Sequence, residues 1–392
     1  MASTPSLRSP PRGELVRACV SVAVANLLDQ RPRLLPAVFG VAVALFLLLL
    51  QVSVLHAARE KVTALYDDFA FDIAIVPDSY QFLMSFETLD RIVLDIARAT
   101  GEVADTYGLN VDVVHWTQLP SQRTTYNLLI GLDQPAGFIR DRDMRAGWGL
   151  LNEPHSLIAD RYSQPAVGPV SPGSVAEIHD ERVTVRGQFK LGLFFYADGA
   201  TLVRNLDFSR LTDRDPRTIS IGLVKLKPGV SPEKARSDIA AALPSGTLVM
   251  TRAQLEKQER DYFLSTKPIG IMIHISMVIA CLVGGAIILQ VLSTDIANRI
   301  GEYAVLKAMG AHPMLVYGIG LTQALILALA GLLVALVPGS LVLALIQLQT
   351  HLETGLGSQM VLDMLATTIG LAVVAGALVI RRVERADPAS LF

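Results

Sequence analysis

The residues best suited to contact chemistry in this chain sit close together, between Ser293 and Ala311. That stretch is short, helix-prone and mixed in charge, with Asp295, Arg299, Glu302 and Lys307. Ile296, Ile300, Leu306 and Met309 form an apolar side, while Arg299, Glu302 and Lys307 stay available to a partner or to water. Gly310 closes the helix at the position where glycine is favoured. Apolar side chains facing water would be wasteful in so short a connection. The pattern therefore predicts a docking helix, gripped by a partner that supplies energy, over a merely solvated loop helix.

Chemistry of other kinds finds little support. The sequence has no G-x-x-x-x-G-K-[ST] and no Gly-Lys pair, so it lacks a P-loop. H-E-x-x-H and G-x-S-x-G are also missing. The seven histidines, His56, His115, His155, His179, His274, His312 and His351, are scattered and suggest no metal centre. His274 falls inside an apolar run, where a hydrogen bond to a neighbouring helix is its expected role. Cys19 and Cys281 are far apart, and the region between the first two apolar runs has no cysteine. A disulfide framework or a Cys-based zinc site there is excluded. The net charge of -2 gives no reason to expect nucleic acid.

The elements that must position the 293–311 helix are apolar. Hydrophobic residues make up 51% of the chain and concentrate in four long uncharged runs, so the class is membrane α-helical. The first run is Leu34 to Leu55. It exceeds the ~7–15 residues of a signal-peptide core, and no small-x-small cleavage site follows it, so it is expected to be retained. The second, Pro268 to Leu292, spans more than the ~30 Å of a bilayer core at ~1.5 Å per residue. The third begins at Met314 and reaches Leu348, with a kink or break expected at Pro338-Gly339. The fourth covers about Val361 to Ile380.

Charge sets the orientation. Arg8, Arg12, Arg17, Arg31 and Arg33 precede the first run, and Arg381, Arg382 and Arg385 follow the last. Both termini are expected in the cytoplasm, with 293–313 on the same side and 349–360, which has no Lys or Arg, outside. Residues 1–33 would form a tail and an amphipathic surface helix. In Glu14 to Gln30, Leu15, Val16, Cys19, Val20, Ala23, Val24, Leu27 and Leu28 make one apolar stripe, fit for the membrane surface or for packing on protein. Glycines recur in the spans at Gly284, Gly285, Gly318, Gly320 and Gly331. They fit close packing within the chain and dimerisation equally well.

Residues 56–267 read as a large α+β domain outside the membrane, inserted between the first and second spans. Phe71 to Val76 is strand-like and ends at Pro77. Leu128 to Gly131 and Val183 to Val185 are further strands. Glu87 to Ala99 is expected to be helical, with Leu89, Ile92, Val93 and Ile96 on one face. Thr218 to Leu243 reads as strand, Pro228-Gly229 turn, then a helix with Ser231 at its N-cap and Pro232 in first place. His56 to Phe69 and Ala253 to Thr266 look like helical extensions of the spans, forming a stalk. In the second of these, Leu255, Gln258, Tyr262 and Leu264 lie among charges.

With these residues in view, the chain resembles the MacB/FtsX-type permeases of ABC transporters. Asn298-Arg-Ile-Gly-Glu-Tyr-Ala-Val-Leu-Lys-Ala-Met-Gly310 is similar to that family's E-[IY]-x-x-L-[KR]-A-[LM]-G signature. Asn26-Leu27-Leu28 with Arg31 and Arg33-Leu34-Leu35 resembles its N-terminal surface helix. Arg385-Ala-Asp-Pro-Ala-Ser-Leu391 is similar to its basic tail. Glu302 to Gly310 resembles the EYATLKAMG of the DevC branch, and Asp261-Tyr262-Phe263 with Thr266-Lys267-Pro268-Ile269-Gly270 resembles that branch's entry to the second span. Gly301 departs from the branch pattern.

The resemblance implies a homodimeric, non-catalytic permease in the inner membrane. A separate ABC ATPase, using ATP and Mg, would dock through Arg299, Glu302, Tyr303, Lys307, Met309 and Gly310. It also implies a periplasmic adaptor protein and an outer-membrane channel, with ATP-driven movement of the external domain. The expected cargo is a lipid, glycolipid or other amphipathic molecule. An FtsX-like regulator that activates a periplasmic cell-wall hydrolase is the alternative, and a membrane sensor ranks below both.

Overall fold

A computed structural model describes residues 17, 19–25, 31–85, 87–119, 121–133, 137–192, 197–298, 301, 313–350 and 357–384. Four of its helices are long and apolar enough to cross a membrane. They belong to α1 (Arg31–Lys61), α8 (Pro268–Asn298), α9 (Pro313–Thr350) and α10 (Ser358–Glu384). Between the first and second of them lies a large mixed domain. The chain divides into two compact units, one built from the long helices and one built chiefly from Ala57–Ile271.

The helices of the first unit follow from composition: uncharged apolar runs of this length satisfy their backbone internally. Of the kink or break expected in the third run, the helix bounds bear on the break alone. The break at Pro338-Gly339 is absent, because α9 runs unbroken through Pro338. Proline removes one backbone donor, and a long apolar helix tolerates that loss where its neighbours pack around the freed carbonyl.

Among the described residues, the second unit contains eleven strands: β1 (Ile73–Pro77), β2 (Leu89–Asp90), β3 (Val103–Gln118), β4 (Arg123–Leu132), β5 (Ser156–Asp160), β6 (Val175–Ile178), β7 (Glu181–Phe189), β8 (Gly199–Arg204), β9 (Thr218–Ile219), β10 (Ile221–Leu226) and β11 (Thr247–Thr251). Its helices are α2 (Ala64–Asp67), α3 (Ile92–Ala99), α4 (Arg142–Gly147), α5 (Asn205–Thr212), α6 (Pro232–Ala242) and α7 (Arg252–Thr266). Nine strands form one sheet in the order β11-β1-β10-β3-β4-β8-β5-β7-β6, and β6 pairs back onto β3. The six strands from β3 to β6 therefore close into a ring, and β10, β1 and β11 extend it as an open sheet.

Side-chain alternation explains both parts. In the ring, Val114 and Trp116, Leu157 and Ala159, Ala176 and Ile178, and Val183 and Val185 recur at a spacing of two and share one core. In the open sheet, Ile73 and Ile75 face a core with Val93, Leu94 and Ala97 of α3 and Ile239 of α6. Ala74 and Val76 face the opposite core, with Leu65 and Tyr66 of α2 and Leu255 of α7.

The strands expected at 71–76, 128–131 and 183–185 are present as β1, β4 and β7. The turn at Pro228-Gly229 is also present, with Gly229 at φ +83. Ser231 holds the N-cap position of α6, but its hydroxyl caps no backbone amide. The helix expected from Glu87 starts only at Ile92, since Leu89 is taken into the short β2–β9 pair opposite Ile219. Its buried stripe is Val93, Leu94 and Ala97, and Ile92 is exposed. The helical extension expected over His56 to Phe69 is divided between the end of α1 and α2, and Val62, Leu65 and Phe69 within it are buried.

Candidate functional site

The expected docking residues Arg299, Glu302, Tyr303, Lys307, Met309 and Gly310 lie outside the described residues. What is described is the frame that brackets them: α8 ends at Asn298 and α9 begins at Pro313. Residues 19–25 are helical and pack near the start of α9. There Cys19, Ala23 and Ile319 form a small buried cluster. A Cβ on Gly318 would lie 2.6 Å from the Cys19 sulfur, so only glycine admits that approach. Val20, Val22 and Val24 stay exposed, which leaves an apolar side for lipid. The N-terminal stripe thus serves packing with one face and presents another.

The span glycines mark contacts within the chain. A Cβ on Gly331 would come 2.6 Å from Val41 Cγ1 on α1. A Cβ on Gly284 would lie 3.7 Å from Ala44 Cβ and 3.8 Å from Leu371 Cδ1, so α8 meets both α1 and α10 there. Polar groups are enclosed in this apolar setting too. Gln323 on α9 and Thr368 on α10 are buried, and neither the Gln323 amide nor the Thr368 hydroxyl has a hydrogen-bond partner among the described residues. Near one end of the helices, His56 Nε2 lies 2.8 Å from Asp363 Oδ2. Among the described residues, no group of three or more His, Cys, Asp or Glu side chains is placed to hold a metal ion.

The second unit holds a site that sequence reasoning missed. Glu259 of α7 is fully buried. Tyr66 Oη donates to its Oε1 at 3.0 Å, Tyr80 Oη donates to the same oxygen, and the Leu83 amide donates to Oε2 at 3.1 Å. Burial pushes its carboxyl up to about 7, against the three hydrogen bonds, which favour the charged form. Tyr80, also buried and facing that carboxylate, is held well above its ordinary value. The sequence reading singled out Leu255, Gln258, Tyr262 and Leu264 in this helix and left Glu259 unnamed among the charges around them. The signal available was the capping box. Thr251 and Gln254 exchange both bonds, which fixes the start of α7 and puts Leu255, Glu259 and Phe263 on one buried line.

Residues 274–388 match the family described as FtsX-like permease C-terminal. That part of the chain is similar to an FtsX-like permease C-terminal region. The match covers α9 and α10 and most of α8, together with the bracketed docking segment, and so agrees with the expected MacB/FtsX-type family. It does not reach down to the DevC branch. No curated protein matches the chain.

Three solved structures are similar to part of this chain. The periplasmic region of MacB from Actinobacillus actinomycetemcomitans is 9% identical with a TM-score of 0.36, covering 47% of this chain and 91% of that one. The extracellular domain of the noncanonic ABC-type transporter YknZ from Gram-positive bacteria is 12% identical with a TM-score of 0.31, covering 46% of this chain and 98% of that one. A domain of a permease protein from Porphyromonas gingivalis is 16% identical with a TM-score of 0.30, covering 47% and 88%.

Proposed function

We propose that this chain is the permease subunit of an ABC-type export system, itself non-catalytic, in the inner membrane with both termini cytoplasmic. A separate ATPase docks on Arg299, Glu302, Tyr303, Lys307, Met309 and Gly310, and its ATP-driven cycle moves the mixed domain. The single observation that carries this reading is the FtsX-like permease match over 274–388, which encloses that segment. The four-span architecture, with its large domain between the first and second spans, supports it. Cargo is a lipid, glycolipid or other amphipathic molecule, handled with a periplasmic adaptor and an outer-membrane channel. Met272, Ile275, Val278, Ile279 and Leu282 leave α8 an exposed apolar face for lipid or for a second copy in a homodimer.

Purification from mild detergent with identification of the bound proteins tests the assembly, since an adaptor supports export and a cell-wall hydrolase supports the regulatory alternative. Reconstitution tests the docking residues. A Glu302→Ala/Lys307→Ala double variant is expected to insert normally and to lose stimulation of the ATPase. Unchanged stimulation would remove those residues from the contact.

A further inference from the structure

Glu259 does not act alone on α7. Gln258 Nε2 donates to the Tyr80 carbonyl at 2.8 Å, and Tyr262 Oη donates to Gln81 Oε1 at 2.7 Å. The Tyr262 ring stacks on Phe82 at 5.0 Å. Lys267, just past the helix end, puts its Nζ 3.8 Å from the centre of the Phe82 ring and 5.5 Å from that of Tyr262. Four consecutive residues, 80–83, are thus fastened to the last turns of one helix.

Both ends of this assembly lead elsewhere. On one side, Lys267 is extended, at φ -76 and ψ 140, as a residue before proline must be, and Pro268 opens α8. A Cβ on Gly270 would lie 2.6 Å from Leu264 Cα and against the Phe263 carbonyl. The first turn of α8 is therefore pressed onto the last turn of α7, and glycine alone permits that corner. On the other side, residues 80–83 follow β1 directly, with the Tyr80 amide donating to the Pro77 carbonyl at 3.0 Å. β1 is an inner strand, paired with β10 and with β11.

We propose that α7 and residues 80–83 form one rigid joint, pinned by Glu259, that hands displacement of the first turn of α8 to strand β1 and so to the sheet. The transmission role rests on the reading of the chain as an ATP-driven permease, whereas the rigidity of the joint does not. A buried carboxylate is a poor choice for packing alone, because desolvation opposes it. Its value is directional. Three donors from two other segments converge on it, and removing it takes away the one acceptor they share in the interior, leaving the two tyrosine hydroxyls only each other at 3.2 Å. The groups that face it are the Tyr66 and Tyr80 hydroxyls and the Leu83 amide. The neighbouring charges on α7 turn away: Arg260 pairs with Glu256 at 3.3 Å and donates to the Arg59 carbonyl and to Thr63. The joint should therefore open as a unit.

Hydrogen exchange on the full chain in lipid nanodiscs tests this, comparing the wild type with Glu259→Gln and with Tyr80→Phe. The tyrosine variant keeps its ring and protects the test against a folding failure. Exchange should rise about tenfold in 78–85 and in the second half of α7 together, as expected for loss of a charge-assisted hydrogen bond, while β5 and β7 stay unchanged. A rise in one segment alone, or in neither, would overturn the joint. Stimulation of the co-purified ATPase is the second readout. It should fall in both variants while the ATPase stays bound, and full stimulation alongside a loosened joint would overturn the transmission role. A wild-type preparation that binds no ATPase would overturn the permease reading instead, and exchange would still decide the joint.

Discussion

His56 and Asp363 join α1 to α10: the imidazole Nε2 and a carboxylate oxygen meet at 2.8 Å across 307 positions of sequence. The other carboxylate oxygen accepts from Gln359 Nε2 at 3.1 Å. Asp363 stands in the second turn of α10, past the first turn where the helix dipole would favour an acid. The pair is part-exposed, 21% for His56 and 41% for Asp363, so its contribution is modest. A double-mutant cycle with His56→Ala and Asp363→Ala should give a coupling of about 0.5 kcal/mol in thermal unfolding. A coupling of zero would mean that the two side chains meet without holding the helices.

Glu259 makes stability depend on pH in a defined direction. Its carboxyl is raised from 4.5 to about 7 in the folded chain. The folded state therefore holds the proton to higher pH than the unfolded state does. The destabilisation is absent below about pH 4.5, grows as pH rises to about 7, and is constant above that. Asp68, raised to about 7 by burial and by Asp141 and Asp67, acts in the same sense and window. The comparison must therefore be a difference. Subtracting the Glu259→Gln profile from the wild type should leave a fall in stability between pH 5 and 7, and parallel profiles would contradict this assignment.

Gln323 offers a stabilising substitution. Its amide is buried in the helical unit with neither polar atom partnered among the described residues. Leucine has a similar volume and no hydrogen-bonding groups. Gln323→Leu should raise unfolding stability by about 1–2 kcal/mol. A loss of stability would show that the amide makes a stabilising contact in the folded chain.

Gly331 should tolerate nothing larger than itself. The Cβ of an alanine would sit 2.6 Å from Val41 Cγ1 and 3.1 Å from Val41 Cβ. Gly331→Ala is expected to destabilise by about 1–3 kcal/mol, and Val41→Ala in the same chain should recover part of the loss. The readout is thermal unfolding in detergent.

The spans were legible because a long uncharged run has few other fates in water or lipid. β1, β4 and β7 were legible because their apolar residues are local and dense. Ring closure was not, since Trp116 meets Ile178 through a pairing that no local pattern encodes. Glu259 was hidden for a different reason: a carboxylate on a charged helix reads as solvated until Tyr66 and Tyr80 are brought over it. The expected docking residues Arg299, Glu302, Tyr303, Lys307, Met309 and Gly310 were read from their own motif and lie outside the described residues, so their role is a proposal.

Strand β3 is long, Val103 to Gln118, and it serves two masters. Its first part pairs with β10 and its last residues pair with β6. The ring therefore cannot be excised as a module, since a deletion that removes all of β3 with it strips β10 of one of its two neighbours. Swapping the ring between relatives would have to splice within β3, with the alternation of its side chains kept in phase.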